Sequence, residues 1–498
     1  MHHSPARTTG WFPLASLGVG ATAATTAVLF GASVGADLDG SVAAFVLVAV
    51  LLAALFAPLW SLALLLFITV LIPFGVQNRY AVGGGTGVPG LLIVDLLLVL
   101  GLARATLMFQ RRKTWSLSLL LAYAMLAFAA AQLAHGVLSG WSVSEAGTEA
   151  RRVAMAVGGF VLAIPVLADP ARRERLPAIL LVLGLAVGAW GLGQWFLDIP
   201  YSEGGDVGVR DNNVAFTSAG RGQLQGGLFV YAIAVVLAMA ALISGHIRGS
   251  WPWLLTMVAL GANVLCLIFT YERTFWGAAV FGCALVALRA APIARRRALL
   301  LVPTGVAVLL LALAAAAPGE LRTALERGSS VTQARVDSSV EYRQVESRGV
   351  LASIAARPFE GSSFGAEFSW RQPGLTTPHT TAFVHNGYLW LAWKLGIPFA
   401  ALVVALIAAT VMRSEGGRHG SLMGALRTGA QGSLLGLLIV NVTFPSFNAL
   451  SVAALTGLLI AMCWVPRRMT PDPVSPRQVQ PYPRPTTQAP AATAVMHR

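Results

Sequence analysis

Long apolar segments constrain this chain more than any other feature of its sequence. A helix needs about 20 apolar residues to cross the hydrocarbon core of a bilayer, and segments of this kind recur along most of the chain. Hydrophobic residues make up 56% of the 498 residues and charged residues only 11%, with a mean hydropathy of +0.70. Soluble globular chains have a lower apolar and a higher charged share. The sequence therefore predicts an all-α polytopic membrane protein with about 12–14 transmembrane helices.

The apolar segments also divide the chain into parts. They predict membrane-spanning helices at residues 15–36, 41–57, 59–73, 90–108, 116–134, 149–168, 177–197, 222–245, 252–270, 274–290, 298–317, 386–411, 428–444 and 448–464. A first helical bundle is expected at 1–317, a long loop that contains helix at 318–384, and the rest of the bundle at 385–465. Residues 466–498, rich in Pro, Gln and Thr, are typical of a disordered tail.

The basic residues of the short loops predict the orientation in the membrane. Apart from Lys113 and Lys394, every cation among the 35 Lys and Arg is an arginine. Clusters near 111–113, 172–175 and 295–297 fall on one side of the predicted spans, which the positive-inside rule makes cytoplasmic. Both termini then lie in the cytoplasm, and the loop at 318–384 faces outside. The same rule explains the high isoelectric point, so nucleic acid is not an expected partner.

No motif in the sequence predicts a cofactor. Cys266, Cys283 and Cys463 all lie in apolar segments without the spacing of metal ligands. There is no CxxC, no HExxH and no glycine-rich loop followed by lysine. We therefore expect neither a metal nor a nucleotide cofactor.

Arginines at the outer ends of spans are the informative cations, because they oppose the topological bias. They are Arg151, Arg152, Arg210, Arg221 and Arg273. The planar guanidinium holds two oxygens of a diphosphate or carboxylate at once. The alternative is that each cation reaches lipid headgroups or pairs with a nearby acid, as Arg273 with Glu272 or Arg152 with Glu149.

A histidine stands at the mouth of an apolar helix in the stretch FVHNGYLWLAWKLG, residues 383–396. The positive end of the helix dipole favours a neutral ring, so His385 would be able to accept a proton as a general base facing outside. The alternative is that His385 and Asn386 only cap the helix. Lys394, further along, is an intramembrane cation that we expect to be neutral or paired, for example with Asp95.

Two carboxylates of the outer loop are rival candidates for the base. Glu341 and Glu346 lie close to Arg343 and Arg348 in sequence. At helical spacing they look like surface partners of these arginines.

The loop and the histidine helix together resemble the O-antigen ligase and polymerase superfamily of bacterial envelope glycosyltransferases. The stretches RQVESRGVLASIAARPFEGSSFG and HNGYLWLAWKLG match the family pattern of an arginine, a Pro-x-x-Gly turn and a His-Asn helix that a glycine ends. The matching positions are Arg343, Pro358, Gly361, Gly365, His385, Asn386, Leu389 and Gly396. Arg273 is a weaker match, with Glu272 in place of the usual serine. Ser347 replaces a usual aromatic residue and Ser363 a usual glycine.

The resemblance implies a reaction and roles for these residues. A glycan would pass from a polyprenyl (undecaprenyl or decaprenyl) diphosphate carrier to an acceptor hydroxyl at the outer face of the bacterial inner membrane, with inversion and without metal. His385 would be the base and Arg343 would act beside it at the reacting groups. Asn386 and Glu272 would support the site. Arginines would hold the diphosphate, namely Arg221, Arg273 and Arg343, with Arg210 and Arg348 in reserve.

Other functions stay open on the sequence alone. A transporter or flippase for lipid-linked glycans would require repeats and acids near the middle of the membrane. A peptidoglycan glycan-strand polymerase would use the same kind of carrier. Within the resembled superfamily, the acceptor of the glycan remains open between a growing polysaccharide, a glycolipid core and a protein hydroxyl.

Overall fold

The computed structural model describes residues 58–72, 92–112, 116–196, 229–247, 249–270, 272–319, 321–322, 325, 338–371, 379–413 and 421–464. In chain order its helices are α1 Pro58–Leu71, α2 Ile93–Arg112, α3 Leu117–Leu138, α4 Val143–Ala168, α5 Pro170–Arg173, α6 Leu176–Phe196, α7 Phe229–Ser244, α8 Ser250–Phe269, α9 Arg273–Arg289, α10 Pro292–Ala316, α11 Ser338–Ala356, α12 Gly387–Leu395, α13 Ile397–Met412, α14 Leu422–Val440 and α15 Leu450–Trp464. Strands β1 Phe368–Trp370 and β2 His379–Thr381 form a small antiparallel hairpin with Phe368 opposite Thr381.

Most of these helices are apolar enough for a membrane. Within the described ranges, six are long and apolar enough to cross a bilayer, namely α2, α3, α4, α6 with α5, α8 and α14. Four shorter apolar helices, α1, α7, α13 and α15, accompany them. The prediction of an all-α polytopic membrane protein is confirmed.

Several predicted boundaries need correction. Helix α4 begins at Val143 where 149 was expected, and α10 begins at Pro292 where 298 was expected. The span expected at 386–411 is two helices, because Gly396 adopts a φ of +83°, ends α12 and is followed by Pro398 in the first turn of α13. The span expected at 428–444 is α14, which begins earlier, at Leu422, and ends at Val440. The spans predicted at 15–36 and 41–57 and the tail at 466–498 lie outside the described residues.

Glycines bring the helices of the bundle into backbone contact. A Cβ on Gly282 of α9 would lie 2.8 Å from the Gly432 carbonyl oxygen of α14, and a Cβ on Gly432 would lie 2.6 Å from the Gly282 oxygen. A Cβ on Gly457 of α15 would lie 2.0 Å from the Ala156 oxygen of α4. Small residues at such contacts are typical of helix packing in membranes, where close van der Waals approach replaces the hydrophobic effect.

The described part of the loop before α12 is folded and shares a buried apolar cluster with helices of the bundle. Helix α11 packs on the β1–β2 hairpin, with the Tyr342 and Trp370 rings 4.8 Å apart in an edge-to-face contact. Val350, Phe364 and Trp390 belong to one buried apolar cluster that joins this segment to α12. This packing fixes where α11 lies relative to the start of α12.

Candidate active site around His385

The His385 ring is held by a buried carboxylate. Its Nδ1 lies 3.0 Å from Oε1 and 3.1 Å from Oε2 of Glu346, and the His385 backbone N–H donates to Oε2 at 3.0 Å. The Glu346 side chain is 2% exposed and the His385 side chain 18% exposed. A carboxylate can only accept here, so Nδ1 donates and Nε2 keeps the free lone pair.

Two aromatic rings complete the surroundings of the imidazole. Tyr342 and Phe383 meet it edge to face, with ring centroids 5.7 Å and 5.0 Å from the centroid of His385. Both side chains are partly exposed. The ring is therefore fixed in orientation by packing as well as by the carboxylate, while part of it stays accessible from outside the segment.

Asn386, not His385, caps α12. Its Oδ1 accepts from the N–H groups of Tyr388 and Leu389, both at 3.0 Å, and its Nδ2 donates to the Val442 carbonyl oxygen at 3.1 Å. The Gly387 N–H donates to the Asn441 oxygen at 2.8 Å. His385 thus lies directly before the N-cap residue of α12 and does not cap the helix itself. The start of α12 is bound to the turn after α14.

The turn at 441–449 also brings the start of α9 to this place. Thr443 Oγ1 donates to Thr274 Oγ1 at 2.8 Å, and Thr274 follows Arg273, the first residue of α9. Consecutive residues of the turn, Val442 and Thr443, therefore contact the histidine helix and the Arg273 helix. Glu272 occupies the N-cap position of α9 without a capping hydrogen bond from its side chain.

The turn that contains the Pro-x-x-Gly stretch contacts the C-terminal end of α12. The N–H groups of Ser362 and Ser363 donate to the carbonyl oxygens of Trp393 and Lys394 at 2.6 Å and 3.1 Å. Ser363 has a φ of +70°, like its neighbours Gly361 and Gly365. A positive φ favours glycine, which explains why glycine is usual where this chain has Ser363.

The two arginines of α11 differ in placement. Arg343 is half-buried, one turn before Glu346 on the same face of the helix. Arg348 is exposed, and at 100° per residue it lies on the face opposite Glu346. Of the other predicted arginines, Arg273 is half-buried, and Arg210 and Arg221 lie outside the described residues.

The interpretation of Glu346 as a surface partner of an arginine is wrong. The residue is 1% exposed and binds His385. A polar helix such as α11 does not reveal from its sequence which face is buried, because the hairpin that covers it lies further along the chain. The rival Glu341 has its side chain outside the described part.

The ion pair offered from sequence between Lys394 and Asp95 is also wrong, because each of the two residues has another partner. Lys394 pairs with Glu149 at 3.0 Å, where Asp95 was the example given. Asp95 pairs with Arg151 at 2.8 Å. Arg152 donates to Asn448 Oδ1 at 2.6 Å in the turn after α14. These partners are distant in sequence, so local spacing does not predict them.

Sequence reasoning missed the turn at 441–449 altogether. Asn441 and Asn448 are buried in it, and its sequence NVTFPSFN places two amides and a proline between apolar runs. Buried amides need hydrogen-bond partners. Two asparagines in so short a connection could therefore have predicted a turn that binds neighbouring helices.

A comparison with known protein families gives a match to part of the chain. Residues 255–404, less than a third of the chain, match a family model described as O-antigen ligase. The match contains Arg273, Arg343 and His385 but not Glu149 or Asn441. Neither the curated proteins nor the solved structures yield a match.

The family match bears on the site because it spans the histidine helix and the segment that holds it. At the level of the family, it supports a membrane glycosyltransferase-like ligase or polymerase. Over residues 255–404, this match agrees with the resemblance of this multi-pass membrane protein to the O-antigen ligase and polymerase superfamily.

Proposed function

We propose that this protein transfers a glycan from a polyprenyl diphosphate carrier to an acceptor hydroxyl at the outer face of the bacterial inner membrane. His385 is the general base, and arginines hold the diphosphate. The contact between His385 and Glu346 carries the proposal, because it gives an accessible imidazole both a defined tautomer and a counter-charge.

The roles of the two residues follow from their geometry. Nδ1 is engaged by Glu346 at 3.0 Å, so Nε2 is the nitrogen that takes the proton of the acceptor hydroxyl. The carboxylate then stabilises the imidazolium that forms. Glu346 itself is buried and accepts two N–H groups, which fits an orienting partner better than a base.

The leaving group needs positive charge near it. As the bond between the anomeric carbon and the diphosphate oxygen breaks, negative charge grows on the diphosphate, and guanidinium groups bind such oxygens two at a time. Among the described residues, the Arg343 guanidinium has no ion-pair or hydrogen-bond partner, and the side chain is half-buried. Arg273 approaches the site through the contact between Thr274 and Thr443. Arg221, Arg210 and Arg348 are further candidates.

The reaction is a single displacement. The acceptor oxygen loses its proton to Nε2 and bonds to the anomeric carbon, while the carrier leaves as its diphosphate from the opposite face. Attack from that face inverts the configuration of the anomeric carbon. The acceptor is a growing polysaccharide, a glycolipid or a protein hydroxyl.

The test is release of free polyprenyl diphosphate by the purified protein with lipid-linked oligosaccharides extracted from its host. Wild type should release carrier while a larger glycan forms. His385→Ala should lose about 10²–10⁴-fold in rate, the usual contribution of general-base catalysis. His135→Ala, in the last turn of α3, is the matched control and should keep its rate. Full activity of a folded His385→Ala protein would remove the base from the proposal.

A further inference from the structure

A buried ion pair lies beneath the histidine helix, outside the groups that the proposed reaction uses. Lys394, near the end of α12, has a side chain that is 0% exposed, and its Nζ lies 3.0 Å from Oε1 of Glu149, which is 6% exposed. The same Nζ donates to the Ala366 oxygen at 2.6 Å and lies 4.0 Å from the centroid of the Trp393 ring. Two charges are therefore removed from water at one place.

The Glu149–Lys394 pair binds the backbone of Gly365 and Ala366, just before strand β1. Oε2 of Glu149 accepts the Gly365 N–H at 2.7 Å, and Nζ of Lys394 binds the oxygen of the next residue, Ala366. Glu149 belongs to α4 and Lys394 to α12, so this contact ties the turn at 358–366 to two helices. Burying a charge pair is costly, and apolar residues of similar size often pack as well or better. Packing alone therefore does not account for the pair.

The 358–366 turn is in backbone contact with the end of α12. Besides the bonds from Ser362 and Ser363, the Ile397 N–H donates to the Pro358 oxygen at 2.8 Å. A Cβ on Gly361 would lie 2.6 Å from the Lys394 oxygen, and a Cβ on Gly396 would lie 2.0 Å from the Phe359 oxygen. At these distances the turn and the helix end can move only together.

Helix α12 transmits this position to His385. The helix has nine residues, about 13 Å of rigid rod, with His385 just before its cap. At the start of α12, helix α11 contacts His385 through Glu346. In the sequence, α11 is followed directly by the 358–366 turn. One continuous segment, residues 338–366, thus holds both ends of the histidine helix.

We propose that Glu149 and Lys394 are positioning residues, which fix the 358–366 turn against α12 and so hold the His385 ring in its reactive place. The inference rests on the proposed function. A displacement of about 1 Å at a reacting group can cost about 100-fold in rate, so loss of the pair should be visible in catalysis without contact to substrate.

The experiment compares wild type with Glu149→Gln/Lys394→Met, which removes both charges and nearly keeps both shapes. We expect kcat for carrier release to fall about 10–100-fold with KM for the donor unchanged. Amide hydrogen exchange should become faster in peptides covering 358–366 and 383–396. The single variant Lys394→Met, which leaves Glu149 buried without its cation, should be less stable than the double variant.

The matched control is Asp95→Asn/Arg151→Gln, which removes another largely buried ion pair, formed between α2 and the same helix α4. It should keep kcat and the exchange rates of both peptides. If the double variant keeps kcat, or if exchange in the two peptides matches wild type, Glu149 and Lys394 are not positioning residues. If wild type releases no carrier, the proposed function fails, and the exchange comparison alone then decides whether the pair fixes the turn.

Discussion

Two regions hold the start of the histidine helix, and they do so with different chemistry. The outer segment at 338–366 contacts His385 through the charged Glu346. The turn at 441–449 contacts the next residues through neutral groups, the carbonyl oxygens of Asn441 and Val442. A charge strengthens its contact as the imidazole becomes cationic, whereas an amide or carbonyl contact changes little. We therefore expect the outer segment to affect the reactivity of the ring as well as its position, and the turn at 441–449 to affect its position alone.

The sharpest test of this difference is Glu346→Gln. The substitution keeps the shape but removes the charge that orients and stabilises the ring, so kcat should fall by about 10²–10⁴-fold with little change in KM. Steady-state carrier release measures both constants. Glu360→Gln, an exposed carboxylate of the same segment, should leave them unchanged. Equal kcat in the two variants would show that Glu346 does not tune the base.

Arg343→Gln tests the second charged group of the outer segment. A lost charge-assisted hydrogen bond costs about 1.5–3 kcal/mol, so kcat/KM for the donor should drop roughly 10–150-fold. Arg348→Gln should have a smaller effect, because that side chain lies on the opposite face of α11. Arg357→Gln, exposed at the end of α11, is the neutral control. An equally large loss in all three would indicate general attraction of the anionic donor instead of a defined contact.

Asn441→Ala tests the turn. Asn441 Oδ1 accepts the Phe447 N–H at 3.0 Å and its Nδ2 donates to the Leu437 oxygen at 2.7 Å. Leaving a buried N–H without a partner costs about 1–3 kcal/mol of stability, measurable as a lower melting temperature. Asn263→Ala, a buried amide that binds Gly184 and Ala259, should destabilise similarly. Only the Asn441 variant should also lose activity, and a loss in both would show that activity merely follows stability.

Asn386→Ala should have the smallest effect. It removes a helix cap, worth about 1 kcal/mol, and the link to Val442. Asn386→Asp keeps the capping oxygen and should recover most of the stability in a thermal melt, but not the bond that Nδ2 donates. If Asn386→Ala lowers kcat as far as Glu346→Gln does, the division of labour between the two regions is wrong.

The sequence predicts the fold class well, and it also marks the residues of the candidate site, because both depend on local patterns. Apolar length marks the spans, and the spacing around His385 and Arg343 is local to one segment. The apolar run at 386–411 predicted one span through Gly396, although the resembled family pattern of a His-Asn helix that a glycine ends already indicated the break. A glycine followed within two residues by proline was another available signal.

The partners of the buried charges could not be predicted, for a physical reason. Glu149 and Lys394 are 245 positions apart, the difference between their residue numbers, and nothing in either neighbourhood specifies the other. The contact of Glu346 with His385 likewise depends on packing of strand β1 on α11, where Trp370 meets Tyr342. Such contacts depend on tertiary packing, which periodicity along one helix does not encode.

The glycine contact between α9 and α14 determines how far along their axes the two helices lie relative to each other. Because backbone meets backbone at Gly282 and Gly432, neither helix can slide along the other. Arg273 lies nine residues from Gly282, about 13 Å along α9, so this contact sets the position of Arg273 relative to α14. A transplant of the proposed site onto another scaffold would therefore have to include the two glycines, because without them the Arg273 guanidinium would lie at a different level relative to the turn after α14.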